Sequence, residues 1–181
     1  MPWSLAICWL FFGWPLNASP YQDSMPSVEG RLELWQSYRL ASINKEESAS
    51  LAVFEKAAAT FAANHPDSKE AAGFVATAEL MKVESMTNLL VKLESFLKWK
   101  SELETSIANQ PTDADLRLFR LSVQLHVPSI LSYSGDIDED SAMIWMALES
   151  GFWGLDSRHE TFVREIFKTF ELSPTHSKDE N

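Results

Sequence analysis

Long stretches without a turn-forming residue constrain this chain more than any other sequence feature. Only 6 of the 181 residues are glycine, and between the few breaks the apolar side chains recur at steps of three and four. This spacing is typical of amphipathic helices, whereas many short strands would need frequent turns. The sequence therefore predicts an all-α fold of about six to seven helices, packed as antiparallel helical hairpins.

Prolines mark two similar junctions between the predicted helices. Asn64-His65-Pro66 ends one helix, and Asn109-Gln110-Pro111 ends another helix further along the chain. A proline disfavours helical backbone in the residue before it, so both breaks are well defined. Junctions of this kind are typical of tetratricopeptide-type helical arrays, but the fixed residues of those repeats are absent. We expect a tetratricopeptide-like array without consensus repeats.

Short polar residues before the apolar runs indicate where the helices begin. Asp67, with Glu70 three residues later, predicts a capping box at the start of the third helix. The sequence does not decide whether the third and fourth helices are separate or form one kinked helix. The other expected N-caps are Ser27, Thr87, Asp136 and Ser157, and the side chains expected on the buried face of the fourth helix are Leu90, Leu93, Leu97 and Ile107.

The first eighteen residues differ in composition from the rest of the chain. Met1–Ala18 contains no charged side chain, and Leu5–Trp14 is almost purely apolar. About ten apolar residues match the core of a signal peptide and fall short of the roughly 20 that span a bilayer. We expect a signal peptide over residues 1–18 that is cut near Ala18, although no Lys or Arg precedes its apolar core. The alternative is an apolar arm that packs on the domain.

A cleaved signal peptide implies an exported protein, periplasmic or secreted, with no stable transmembrane helix after cleavage. Residues 19–27 then form a linker, residues 28–172 a single all-helical domain and residues 173–181 a disordered tail. The only cysteine is Cys8, inside the predicted signal peptide. The mature chain would therefore have neither a disulfide nor a thiol nucleophile.

Charge and motif spacing exclude several classes of function. A formal net charge of -11 argues against a nucleic-acid partner, because phosphate binding needs clustered Lys and Arg. Asp136, Asp138 and Asp140 alternate as at the start of an EF-hand loop, but Ser141 and Ala147 stand where glycine and glutamate are required. The histidines show no zinc-ligand spacing. We expect no cofactor and no resident metal.

One polar group on the fifth helix stands out as a candidate binding site. Arg117, Arg120 and Gln124 are spaced three and four residues apart and therefore share one helix face, with Tyr133 and Asp136 shortly after them. Two guanidinium groups in line could bind a carboxylate or a phosphate, or a peptide carrying one. Alternatively, the arginines pair with the aspartates at 136–140, or bond carbonyls of residues 128–135, and serve only to stabilise the fold.

This segment resembles a family of uncharacterised bacterial proteins. The similarity lies in the Arg-x-x-Arg-x-x-x-Gln helix, the following proline, leucine and tyrosine, and the acidic start of the next helix. It extends over about residues 30–148, with motif detail only between Asp113 and Asp140. The resemblance implies an exported, all-helical, tetratricopeptide-like protein, and it implies no activity.

Together these features predict a protein that acts by binding another envelope protein or a peptide. Trp99, in the turn Lys98-Trp99-Lys100, is either a half-buried ring at the edge of the core or an exposed anchor for that partner. The alternative function is a hydrolase whose site leaves no motif. The oligomeric state stays open.

Overall fold

The computed structural model describes residues 30–44 and 47–173. Within these ranges the chain consists of helices and turns, without a strand. The helices are α1 (Arg31–Ile43), α2 (Ser48–Asn64), α3 (Lys69–Val83), α4 (Leu89–Asn109), α5 (Ala114–His126), α6 (Ile137–Ser150) and α7 (Ser157–Thr169), with a short 3₁₀ turn at Ser129–Leu131 before α6. The prediction of an all-α fold with six to seven helices is confirmed.

Consecutive helices pack side by side along the first half of the chain. The pairs α1–α2, α2–α3 and α3–α4 are in contact, α5 lies against α3, α4 and α6, and α7 returns to α1. Gly73 marks where three helices converge, since a Cβ there would lie 2.3 Å from Leu116 of α5 and 3.1 Å from Ser106 of α4. The start of α3 therefore faces the end of α4, as in an antiparallel hairpin. Helix α5 is the most enclosed of the seven.

The observed helix starts differ from three of the predicted ones by a single residue. The Ser68 hydroxyl, rather than Asp67, accepts a bond of 3.1 Å from the amide of Ala71. Asn88 instead of Thr87 caps α4, and Asp156 instead of Ser157 caps α7. The backbone is extended at Ser68 and Asn88, and at all three caps the side-chain oxygen accepts from free amides of the first turn. Helices α3 and α4 are separate.

The predicted buried face of α4 is wrong in its first half. Leu90, Leu93 and Leu97 are 74%, 42% and 53% exposed, and the side chains that enter the core are Phe96, Leu103 and Ile107. The first turns of α4 are apolar almost all the way round, so helical spacing alone fits either face. Contact with α3 and with Tyr133 selects the face that carries Phe96.

One continuous hydrophobic core runs from α1 to α7. No helix in residues 30–44 and 47–173 is long and apolar enough to cross a membrane. The predicted signal peptide, the linker and the Ser27 cap lie outside the described residues, as does the predicted tail beyond Ser173.

Candidate functional site

Helix α5 carries the predicted polar group on a face that is buried against α6. Arg117, Arg120 and Gln124 are 6%, 5% and 4% exposed. They are held there because Asp113 caps the helix through the amide of Leu116 at 3.0 Å, and leucines on the remaining faces fix its orientation in the core. The helix and the face that carry this polar group were therefore predicted correctly, and the structure shows that α6 lies opposite them.

Asp140, which is fully buried on α6, is the centre of this group. Both Arg120 Nε and Nη2 donate to its two carboxylate oxygens at 2.7 Å, a bidentate arrangement. Arg117 Nη1 donates to the same carboxylate at 2.9 Å and to Glu139 at 2.9 Å, while Arg117 Nε donates to the carbonyl of Pro111. One carboxylate thus joins two guanidinium groups and ties α5 to α6.

The outer side of the same group involves α4 and the loop before α6. Arg120 Nη1 pairs with Glu104 at 2.9 Å and with Asp136 at 3.4 Å. Gln124 donates to Asp136 at 2.9 Å, and the hydroxyl of Tyr133 donates to Glu104. We call these eight residues the Asp140 cluster: Glu104, Arg117, Arg120, Gln124, Tyr133, Asp136, Glu139 and Asp140. All five residues singled out in the sequence belong to it.

The electrostatics of the Asp140 cluster follow from burial and close pairing. Burial disfavours the charged form of Arg120, but hydrogen bonds and charge from Asp140, Glu104 and Asp136 outweigh that cost and raise its pKa. Burial, and then the bond to Glu104, raises the pKa of the Tyr133 hydroxyl. Burial also raises the pKa of Asp140 against the opposing effect of both arginines. Arg120 stays charged at every ordinary pH.

The donors of Arg120 therefore bond carboxylates of this chain, and those of Arg117 bond two carboxylates and the carbonyl of Pro111. The arginines pair with aspartates of the segment 136–140, which is one of the two arrangements expected from the sequence. The other expected contact is not observed: the backbone carbonyl that Arg117 bonds belongs to Pro111 and not to residues 128–135. A free phosphate or carboxylate would have to displace these partners. Four carboxylates face two guanidinium groups, so the cluster carries an excess of negative charge.

A second buried ionic group, which the sequence reasoning missed, fixes the start of α1. Arg31 is 1% exposed and pairs with Glu70, with Asp113 at 3.1 Å and with Asp115. The indole nitrogens of Trp35 and Trp153 also donate to Asp115, at 2.9 and 2.8 Å. The four charged residues are the Arg31 cluster, and they join α1, α3 and α5.

The Arg31 cluster also corrects the interpretation of Glu70. The sequence placed Glu70 in a capping box with Asp67, but its carboxylate turns inward to Arg31. Three carboxylates share one guanidinium. Burial, offset by Arg31 and reinforced by the negative charges of Asp113 and Asp115, raises the pKa of Glu70 to about 7. No sequence motif marks Arg31 or Asp115, because the two residues are more than eighty positions apart in the chain.

An aromatic group beside the Arg31 cluster encloses a histidine. The ring of His159 is fully buried and stacks on Trp35 with a centroid distance of 5.7 Å, and Trp153 and Phe162 lie at 5.8 and 5.7 Å. Burial, and then the charge of Arg39, lowers the pKa of His159 to about 3. A neutral imidazole therefore serves here as part of the core.

The remaining residues singled out in the sequence have structural surroundings. Trp99 is half-buried and packs against the core with the ammonium of Lys98 4.1 Å from its ring centroid, so it matches the interpretation as a core-edge ring. The described part of the chain contains no group of three or more His, Cys, Asp or Glu side chains placed to hold a metal ion.

No protein family, no curated protein and no solved structure matches this chain.

Proposed function

We propose that this chain binds its partner through the outer side of the Asp140 cluster, which forms an acidic edge on the surface. The side chains of Glu104, Asp136 and Glu139 are 33%, 38% and 57% exposed. Ile130, at the tip of the turn Ser129–Leu131, is 87% exposed, and Tyr133 ties this turn back to Glu104. We call these four residues, Glu104, Ile130, Asp136 and Glu139, the acidic edge.

In this proposal the chain is an exported, non-catalytic helical protein, and the partner that binds the acidic edge is another envelope protein or a peptide. The observation that carries this proposal is Ile130, a large apolar side chain that is exposed three residues before Tyr133, whose hydroxyl bonds to Glu104 of the Asp140 cluster. Protein interfaces commonly combine a central apolar anchor with a polar rim. The matching partner offers an apolar pocket flanked by Lys or Arg.

Arg117 and Arg120 act in this proposal as positioning residues. Their bonds to Asp140 fix the start of α6 relative to α5, so Asp136 and Glu139 keep a constant place on the surface. Less conformational entropy is then lost when a partner binds. The resemblance to exported tetratricopeptide-like proteins and the apolar segment Leu5–Trp14 support export and binding in the same compartment.

The proposal is tested by cross-linked co-purification of the tagged full chain from its native host, with the N-terminus determined by mass spectrometry. We expect a start near Ser19 and one stoichiometric partner. Ile130→Ser and Glu139→Lys should each abolish co-purification, whereas the control Leu155→Ser, which also replaces an exposed aliphatic side chain with serine, should leave it intact. An intact Met1 would contradict export, and recovery of a cleaved chain without any partner would contradict the binding function.

A further inference from the structure

The Arg31 cluster contains more carboxylates than its one guanidinium group can neutralise. Arg31 Nη2 pairs with Glu70 and with Asp113 at 3.1 Å, while Nη1 pairs with Asp115. Two carboxylates therefore share a single nitrogen and lie close together. All four side chains are at most 11% exposed, so little water screens them. If every carboxyl were ionised, three negative charges would face one positive charge inside the protein, which is unfavourable.

The hydrogen-bond donors around the cluster are divided unequally among the three carboxylates. Asp115 accepts from two indole nitrogens in addition to Arg31, at 2.9 and 2.8 Å. Asp113 accepts from a backbone amide at the start of α5 at 3.0 Å. In the described part of the chain, Glu70 pairs with Arg31 alone. Hydrogen bonds to a carboxylate favour its ionised form, so the carboxyl with the fewest donors is the one that keeps a proton.

The electrostatics agree with a proton on Glu70. Burial, opposed by Arg31 and reinforced by the negative charges of Asp113 and Asp115, raises the pKa of Glu70 to about 7. Burial disfavours the charged form of Arg31, but the three carboxylates outweigh it and raise the pKa of the guanidinium. Arg31 is therefore charged throughout, and Glu70 is the member of the cluster that titrates near neutral pH.

Two histidines and a tyrosine also lie near the start of α1. His65, which follows α2, packs at a ring-centroid distance of 4.5 Å on Phe61, and this ring lies against the start of α1. His159 of α7 and Tyr38 of α1 stay uncharged near pH 7, because burial lowers the pKa of the histidine to about 3 and raises that of the tyrosine. A substitution at Glu70 therefore separates the effect of the cluster from these groups.

The start of α1 depends on the Arg31 cluster for its attachment. Its N-cap is Gly30, which has no side chain to accept from the free amides of the first turn. Arg31 is the first residue of the helix, and its pairs with Glu70 and Asp113 join that turn to α3 and to the start of α5. Helix α3 itself packs against α2, α4 and α5. Weakening the cluster therefore releases the start of α1 before it disturbs α3.

We propose that the Arg31 cluster is a proton-dependent latch for α1. A proton on Glu70 keeps the start of α1 docked on α3 and α5 below neutral pH. When that proton is lost at higher pH, the adjacent carboxylates repel each other, and the start of α1 separates so that water reaches them. The latch uses no residue of the acidic edge, so its failure would leave the proposed function untouched.

The first test detects the proton by infrared spectroscopy, because a protonated carboxyl has a carbonyl stretch that a carboxylate lacks. We expect the wild type to lose one such band between pH 6 and pH 8.5, with a midpoint near 7. Glu70→Gln should lack this titration step, whereas the matched control Glu102→Gln, at an exposed position on α4, should keep it. A wild type without the step, or a Glu70→Gln variant that retains it, overturns the proposal.

The second test measures the release of α1 by hydrogen exchange of the amides at residues 35–40. Each rate is divided by the intrinsic rate of a free amide at the same pH. A carboxyl whose pKa is about 7 when docked and 4.5 when released should make opening about thirtyfold more frequent at pH 8.5 than at pH 5.5. We expect this loss of protection in the wild type and not in Glu70→Gln. The same loss in both proteins would contradict the latch.

Urea at concentrations below the unfolding transition distinguishes release of α1 from unfolding of the whole domain. Local release exposes little surface, so exchange in α1 at pH 8.5 should hardly depend on urea, whereas exchange in α5 should accelerate. If urea accelerates exchange in both helices alike, the proton on Glu70 only stabilises the fold as a whole, and the proposal of a latch is wrong.

Discussion

Replacing Glu70 with Gln is expected to change how the stability of this protein depends on pH. Glu70 shares Arg31 with Asp113 and Asp115, so the buried group holds more carboxylates than its single guanidinium can neutralise. Glutamine keeps the shape of the side chain and an oxygen that accepts from Arg31, but it removes the surplus charge.

The magnitude follows from the raised pKa of Glu70. In the folded protein this pKa is about 7, compared with 4.5 for an unperturbed glutamate, a difference that corresponds to about 3 kcal/mol. Because the folded state holds its proton more tightly than the unfolded state, this contribution is fully present below pH 4.5 and is lost as pH rises through 7. The variant has no such loss, so its free energy of unfolding minus that of the wild type should increase by about 3 kcal/mol between pH 4.5 and pH 8.

The assay is urea denaturation of both proteins at four pH values between 4.5 and 8. Taking the difference between the two free energies of unfolding at each pH cancels the contribution of His159 and of every other group that the substitution leaves unchanged. Glu102→Gln, an exposed glutamate on α4, is the matched control and should show a difference independent of pH. A Glu70→Gln difference that stays constant within about 0.5 kcal/mol across this range would refute the reasoning.

Three further substitutions test the other buried groups. His159→Phe should be more stable relative to the wild type at pH 4 than at pH 7. The pKa of His159 is lowered to about 3 in the folded protein, so the wild type loses stability as the pH drops below 6.5, and the variant does not. Equal pH profiles of the two proteins would exclude this. Asp140→Ala should cost about 3–5 kcal/mol in urea denaturation by leaving two buried guanidinium groups without their shared carboxylate, whereas Asp138→Ala, on the exposed side of the same turn, should cost under about 1 kcal/mol. Gly73→Val should cost at least about 1–3 kcal/mol because its side chain would overlap Leu116, and an unchanged melting temperature would show that α3 and α5 separate easily.

The candidate site was partly predictable because its central residues are close in sequence. Arg117, Arg120 and Gln124 share a face by helical spacing, and the aspartates that pair with them begin only twelve residues later. Glu104 was not expected in the cluster, since it comes from α4 and nothing in its own surroundings marks it. Its contact with Arg120 exists only because α4 and α5 lie side by side.

The Arg31 cluster shows where sequence reasoning stops. Arg31 and Asp115 are separated by more than eighty residues, and each by itself resembles an ordinary charged residue near a helix start. Burial makes them specific, because in the core a charge must find its partner. Glu70 illustrates the same limit: a local cap and a long-range ion pair fit its position in the sequence equally well, and the tertiary structure selects the ion pair.

The sequence by itself determined the fold class, the approximate helix boundaries and the face of α5 that carries the polar group. These depend on local backbone preference and on the 3.6-residue period, both of which can be read from neighbouring residues. The tertiary structure decided which carboxylates meet Arg31 and Arg120, and which face of α4 enters the core. The choice on α4 required a structure because its first turns are apolar on both sides, and only the position of α3 and Tyr133 distinguishes the buried side from the exposed one.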